Sequence, residues 1–129
     1  MSLSDNAVRA TIAVADMEGA KKFYEGRLGL APREGGPDAI RIYECGNGSL
    51  LQVYESPDHA GKATATVVSW SVPDFDAQVE ELLEAGVEFA KYDAPGGDER
   101  GIHTFGDHRV VWFQDPDGNV IAVDNGTSY

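Results

Sequence analysis

Two short stretches of this 129-residue chain, Ile12-Ala13-Val14-Ala15-Asp16 and Trp70-Ser71-Val72-Pro73-Asp74, decide the predicted fold. In each, alternating apolar residues typical of a strand end at an aspartate that is placed to cap a following helix. Because the second stretch lies about half a chain after the first, the pair indicates two copies of one unit. We therefore predict two similar units, and we expect the functional site in a cup where they meet.

The first predicted unit covers about residues 7–55. Its opening strand, at 8–15, carries Ala10, Ile12 and Val14 on one face, as a half-buried strand should. A helix follows, which begins after Asp16, runs to about Leu28 and ends at Gly29. Two further strands, joined by a hairpin dipeptide, complete the unit: 39–45 and 49–55, with Asn47-Gly48 between them.

The second predicted unit, about 64–125, follows a linker at 56–63. In its first strand Val68, Trp70 and Val72 take the buried phase, and a helix runs from the cap Asp74 to Gly86. Three predicted strands follow, at 87–92, 108–114 and 119–124. A hairpin turn, Asp115-Pro116-Asp117-Gly118-Asn119, joins the last two strands. We predict that Ala94–Gly101 is a mobile loop over a site.

Composition excludes several classes of partner. The formal charge of −12, from 22 acidic and 10 basic residues, argues against binding nucleic acid or an anionic membrane surface. No apolar run approaches the roughly 20 residues that span a bilayer. The lone Cys45 cannot form an intrachain disulfide and fits a reducing compartment. We therefore expect a cytoplasmic protein of one globular domain.

In the second unit, the order of elements opens with Val72-x-Asp74 and closes with Asp115-Pro116-Asp117-Gly118-Asn119-Val120-Ile121. This order resembles that of the vicinal oxygen chelate superfamily. That superfamily includes glyoxalase I, bleomycin-resistance proteins, fosfomycin-resistance enzymes and extradiol dioxygenases. The similarity extends to Ala20-x-x-Phe23-Tyr24 and to Leu28-Gly29-Leu30 in the first unit. The resemblance implies an α+β fold, in which two tandem βαβββ modules form a curved mixed-sheet cup around a ligand.

The resemblance also implies a divalent metal, held by His, Glu or Gln side chains on the first and last strands of each module. The corresponding positions here are Arg9, Gln52, Val67 and Ala122. Only the Gln52 amide could donate to a metal, so we predict that no metal or other cofactor is bound. His103 and His108, with Asp107, would contribute only in a different strand register, and we expect both histidines to be exposed to water.

The sequence therefore predicts a metal-free protein that binds or sequesters a small organic ligand, and that forms a homodimer. The predicted ligand-binding residues lie on the strands and near the mobile loop: Arg9, Gln52, Tyr54, Ser69, His103, Trp112 and Ala122. We expect Trp70 in the core, and one of Trp112 and Phe113 in the cup. Arg9 either binds an anionic ligand or, as we prefer, pairs internally with an acid such as Glu44 or Glu55.

Two other function classes stay open. One is an enzyme, either a metal-dependent lyase, isomerase or dioxygenase, or a metal-independent one that uses Arg9, Tyr54 or His103 for acid-base chemistry. The other is an interaction module whose cup is filled by side chains.

Overall fold

The computed structural model describes residues 2–92 and 96–126. The chain divides into two compact units, Met1–Lys62 and Ala63–Tyr129. Each contains a helix and a mixed β-sheet, so the predicted α+β class is confirmed. Within the described residues, no helix has both the length and the apolar character that crossing a bilayer requires.

The first unit has a three-stranded sheet in the order β1-β3-β2. Strand β3 runs parallel to β1 and antiparallel to β2. The bounds of these strands are β1 Arg9–Val14, β2 Ile40–Glu44 and β3 Leu50–Glu55. Pro32 adds one isolated bridge to Tyr43. The predicted tight turn at Asn47-Gly48 is wider than expected, because a 3-10 turn at Gly46–Gly48 links β2 to β3.

The helix of the first unit changes geometry part-way along. Helix α1 spans Met17–Lys21, and a π-helical segment continues it over Lys22–Arg27. Asp16 caps the start as predicted, because its carboxylate accepts the amides of Glu18 at 3.2 Å and Gly19 at 3.1 Å. The predicted end near Leu28 is confirmed, but one continuous α-helix is wrong. The Leu28 amide instead bonds to the Phe23 carbonyl, five residues earlier.

One face of the first sheet is buried beneath this helix. Five side chains on that face are 2% exposed or less: Ile12, Val14, Tyr43, Leu51 and Val53. Tyr24 of the π-helical segment stacks on Tyr43 with ring centroids 6.2 Å apart. Because side chains alternate along a strand, the residues between these five point to the other face. We name that other side of each sheet its helix-distal face.

The second unit has a four-stranded sheet in the order β4-β7-β6-β5. Strand β4 is parallel to β7, and the other neighbours are antiparallel. The elements are β4 Thr66–Ser71, α2 Phe75–Glu84, β5 His103–Phe105, β6 His108–Gln114 and β7 Val120–Asp124. The Arg109 guanidinium lies 4.8 Å from the Phe75 ring centroid, so Arg109, Val111 and Phe113 mark the helix side of β6.

The strand predicted at 87–92 is wrong. Val87 and Phe89 are buried and alternate as strand residues do, which explains the expectation. However, the described backbone bonds of its amides are isolated ones, from Ala90 to the Trp112 carbonyl at 2.7 Å and from Val87 to the Leu82 carbonyl at 3.0 Å. The fourth strand of the sheet is instead β5, His103–Phe105, which the sequence pattern did not reveal.

The predicted turn at Asp115 to Asn119 is confirmed. The Asp115 Oδ1 accepts the amides of Asp117 and Asn119, each at 2.9 Å, and its Oδ2 accepts the Asn119 side-chain amide at 2.8 Å. Gly118 has φ 91°, a conformation that glycine adopts without strain. This network fixes the hairpin that joins β6 to β7.

The predicted loop Ala94–Gly101 falls partly outside the described residues, which do not include Ala94 and Pro95. From Gly96 onward the chain lies beside β5, where the Thr104 amide bonds to the Gly96 carbonyl at 3.0 Å. Gly97 forms a bridge with His103. Mobility of the loop stays a prediction.

A partly buried polar cluster connects the π-helical segment to β2. One oxygen of Glu25 accepts the Tyr43 hydroxyl at 3.0 Å and the Arg41 Nε at 3.1 Å. Tyr43 is fully buried. Burial raises the pKa of Tyr43, and the Glu25 carboxylate adds to this effect. The hydroxyl therefore stays protonated and donates to Glu25.

We expect Glu25→Ala to lower the free energy of unfolding by about 1–3 kcal/mol, because it leaves the buried Tyr43 hydroxyl without an acceptor. A matched control is Glu44→Ala, which removes an exposed carboxylate paired with Arg33 at 2.8 Å. That loss should stay below about 1 kcal/mol. Urea titration of both variants measures the difference, and equal losses would contradict the role given to Glu25.

Candidate functional site

The helix-distal face of the first sheet carries three of the predicted site residues. Gln52 and Tyr54 lie there on β3, and Arg9 lies there at the start of β1. Thr11 is directly opposite Gln52 in the parallel pairing of β1 with β3. These side chains share one face because Arg9 is two residues from Thr11 on β1, and Tyr54 is two residues from Gln52 on β3.

The preferred prediction for Arg9, an internal pair with Glu44 or Glu55, is wrong. Glu44 is bound by Arg33, through Nη2 at 2.8 Å and Nε at 3.1 Å. The Glu55 carboxylate accepts the Met17 amide at 2.9 Å on the helix side of the sheet. Within residues 2–92 and 96–126, no side chain pairs with the exposed Arg9 guanidinium.

The helix-distal face of the second sheet brings together the other predicted site residues. Ser69, Ala122 and Trp112 form one row across β4, β7 and β6. Phe113, the neighbour of Trp112, is 1% exposed on the helix side of the sheet. We predicted that one of these two side chains lies in the core, and the structure places Phe113 there and Trp112 on the helix-distal face. Trp70 lies on the helix side as predicted, but it is half-buried rather than fully buried.

Four aromatic rings form a cluster of contacts beside this row, which we name the aromatic wall: Tyr92, His103, Phe105 and Trp112. Ring centroids of Trp112 lie 5.2 Å from His103 and 5.4 Å from Tyr92, both edge-to-face. Tyr92 is 46% exposed and Phe105 is 49% exposed. The wall therefore exposes apolar ring surface.

His103 was predicted to be exposed, and this is wrong. It is 1% exposed at the centre of the wall. Its Nδ1 lies 3.0 Å from the Gly101 carbonyl oxygen, and its Nε2 lies 3.4 Å from that of Tyr92. Both ring nitrogens therefore face the backbone. His103 supports the other rings and is poorly placed to exchange protons with a ligand. His108, at the start of β6, is half-buried rather than exposed.

A β-bulge positions Trp112. The pairing of β4 with β7 shifts between Thr66 and Val68, so Val67 has no partner on β7. The shift turns Thr66 to the same face as Ser69, where its Oγ1 accepts the Trp112 Nε1 hydrogen at 3.2 Å. Since β7 lies between β6 and β4, the indole crosses β7 to make this bond. The small side chain of Ala122 leaves room for it, and Ala122 is 5% exposed.

A family model described as the Glyoxalase/Bleomycin resistance protein/Dioxygenase superfamily matches residues 6–123. The chain belongs to this superfamily. The predicted resemblance to the vicinal oxygen chelate proteins is therefore confirmed. Among curated proteins, no match was found.

Solved structures of the superfamily show the same fold. A glyoxalase/bleomycin resistance protein from Catenulispora acidiphila is 32% identical, with a TM-score of 0.71 over 92% of this chain and 96% of that chain. A putative glyoxalase family protein from Bacillus anthracis is 18% identical, with a TM-score of 0.70 over 92% and 93%. A fosfomycin resistance protein from Listeria monocytogenes is 14% identical, with a TM-score of 0.66 over 96% and 93%.

The residues at the superfamily's metal positions do not fit a divalent ion. Arg9 carries a positive charge, Val67 lies in the bulge, and Ala122 lies beneath the Trp112 indole. Among the residues that the structure describes, no three His, Cys, Asp or Glu side chains are grouped to hold a metal ion. A divalent ion needs three or four converging donors, and these positions supply only the Gln52 amide.

Sequence reasoning missed three residues of the wall and its support. Tyr92 and Phe105 lie in segments whose strand assignment was wrong. Thr66 is hidden because a bulge reverses the alternation that would assign its face. The only available signal was composition, since Tyr92 and Phe105 are aromatic residues near the predicted loop.

We expect Thr66→Val to remove the acceptor of the Trp112 indole, whereas Thr66→Ser should keep it. The chain has two tryptophans, so a ¹H–¹⁵N spectrum contains two indole N–H signals. In Thr66→Val, the Trp112 signal should shift and exchange faster with water, while the Trp70 signal should stay unchanged. If Thr66→Ser perturbs the Trp112 signal as strongly as Thr66→Val does, the hydrogen bond has no positioning role.

Proposed function

We propose that this superfamily member is a metal-free small-molecule binding protein that holds a planar organic ligand against the aromatic wall. The supporting observation is the wall itself, in which the exposed Tyr92 ring contacts the Trp112 indole that Thr66 orients, and the exposed Phe105 ring stacks on His103. Stacking on such rings stabilises a planar ligand by about 0.5–1.5 kcal/mol for each good contact. Ser69 and Ala122, in the row of Trp112, flank this contact surface.

The charge of the second unit favours an uncharged or positively charged ligand on the wall. Residues 63–129 contain 13 acidic and 3 basic side chains, so most of the negative charge of the chain belongs to this unit. Two of the three basic groups are engaged, since Arg100 pairs with Glu80 and Arg109 pairs with Asp76. Asp124 is buried on the same helix-distal face as Trp112. Aromatic faces attract cations, which adds to this preference.

The rival class of metal-dependent enzyme has less support, because donors are lacking at the superfamily's metal positions. A metal-independent enzyme that uses His103 also has less support, since both of its ring nitrogens face backbone carbonyls. An interaction module with a filled ligand surface would not need exposed rings on the wall.

We expect 1-methylquinolinium and 2-naphthol to quench Trp112 fluorescence more strongly than 2-naphthoate, in a Trp70→Phe background that leaves one indole. Phe105→Leu should weaken binding of 1-methylquinolinium by about 0.5–1.5 kcal/mol, because it removes a ring but keeps an apolar side chain. Thr104→Ala is the matched control, since Thr104 is exposed on the opposite face of β5.

Two experimental results would contradict the proposal. One is an unchanged Trp112 signal with every planar probe, which would favour the interaction module. The other is stoichiometric divalent metal in elemental analysis of protein purified without chelator, together with thermal stabilisation by that metal. That result would favour the metal-dependent enzyme.

We also propose that the protein is cytoplasmic and forms a homodimer. The dimer proposal is supported by the resemblance to a superfamily whose members commonly pair about a twofold axis. Light scattering of the purified protein should give twice the chain mass of 13.8 kDa. A single-chain mass at micromolar concentration would contradict the dimer.

A further inference from the structure

The helix-distal face of the first sheet has the chemistry of an anion site. Arg9 is exposed there, and the two carboxylates that could neutralise it are held by Arg33 and by the Met17 amide. Three further polar side chains share the face: Thr11, Gln52 and Tyr54. Over the ranges that the structure describes, none of these three makes a side-chain hydrogen bond. Their hydroxyl and amide donors are therefore available to an external acceptor.

The pairing of β1 with β3 places these donors on neighbouring strands of one face, with Thr11 and Gln52 between Arg9 and Tyr54. Thr11 and Gln52 are direct neighbours across the β1–β3 pairing. Arg9 lies two residues before Thr11 on β1, and Tyr54 lies two residues after Gln52 on β3. On β2, Glu44 lies on this face, and its carboxylate already accepts two bonds from Arg33. The face therefore offers one free positive charge flanked by neutral donors.

We propose that Arg9, at a metal-ligand position of the superfamily, supplies the positive charge that a metal ion supplies elsewhere, and binds the carboxylate of a small organic acid. A guanidinium matches a carboxylate through two parallel hydrogen bonds. A carboxylate fits better than a phosphate, because one guanidinium balances a single negative charge. This inference goes beyond the proposed function, since it concerns the first unit and a ligand of opposite charge.

The test is a titration of the whole chain with benzoate, followed by ¹H–¹⁵N spectra. Benzyl alcohol is the control, because it keeps the ring and lacks the charge. We expect benzoate, and not benzyl alcohol, to shift the Arg9 Nε–H and Gln52 side-chain signals. Arg9→Gln should weaken benzoate binding about tenfold or more, as loss of a charged hydrogen bond implies. Arg9→Lys should retain part of the affinity.

The matched control variant is Lys22→Gln, which removes the same charge from an exposed residue of the π-helical segment. It should leave benzoate binding unchanged. Equal weakening in Lys22→Gln and Arg9→Gln would overturn the proposal, because it would reflect net charge alone. Equal shifts with benzyl alcohol and benzoate would also overturn it.

The two binding proposals fail separately. If benzoate leaves the Arg9 signals unchanged while 1-methylquinolinium still quenches Trp112, the anion site is overturned and the aromatic wall stands. If benzoate binds and no planar probe affects Trp112, the anion site stands and the wall does not.

Discussion

Packing of a helix against one face of each sheet is the constraint on which the rest of the structure depends. In the first unit the helix covers Tyr43 and its neighbours, and in the second Phe75 and Arg109 mark the covered side. Because strand side chains alternate, burial of one set fixes the identity of the set that faces away. Packing of the core therefore determines which residues lie on the helix-distal face. This explains why Gln52 and Tyr54 share that face while Val53 does not.

The two helix-distal faces have different chemistry. On the first, Arg9 stands among neutral donors. On the second, rings surround the buried His103, in a unit with a large excess of acids. A metal ion would require convergent oxygen or nitrogen ligands, and alanine and valine at two of the superfamily's ligand positions cannot provide them. The fold has therefore been kept while the residues at these two positions have lost the donors that coordinate a metal ion.

Much of the fold could be predicted, because it depends on local signals. Asp16 and Asp74 cap the helices as expected, and the Asp115 turn forms as its residues require. The shared face of Arg9, Gln52 and Tyr54 also follows from alternation. The failures concern long-range pairing. Strand β5 has only three residues, and its partner β6 determines it. His103 contacts the rings of Tyr92 and Trp112, which lie on other segments of the chain, so no local pattern reveals its burial.

The extra residue at Val67 has a consequence for comparing this chain with its relatives. Residues before the bulge are out of phase with residues after it, so a gap-free alignment of β4 assigns wrong neighbours on one side. Removing that single residue would restore regular alternation and keep Thr66 opposite Val120, on the face of the indole, whereas a regular strand of the present length would turn the Thr66 hydroxyl to the helix side. Relatives that lack this one residue can therefore keep both the hydroxyl and the aromatic residue on β6.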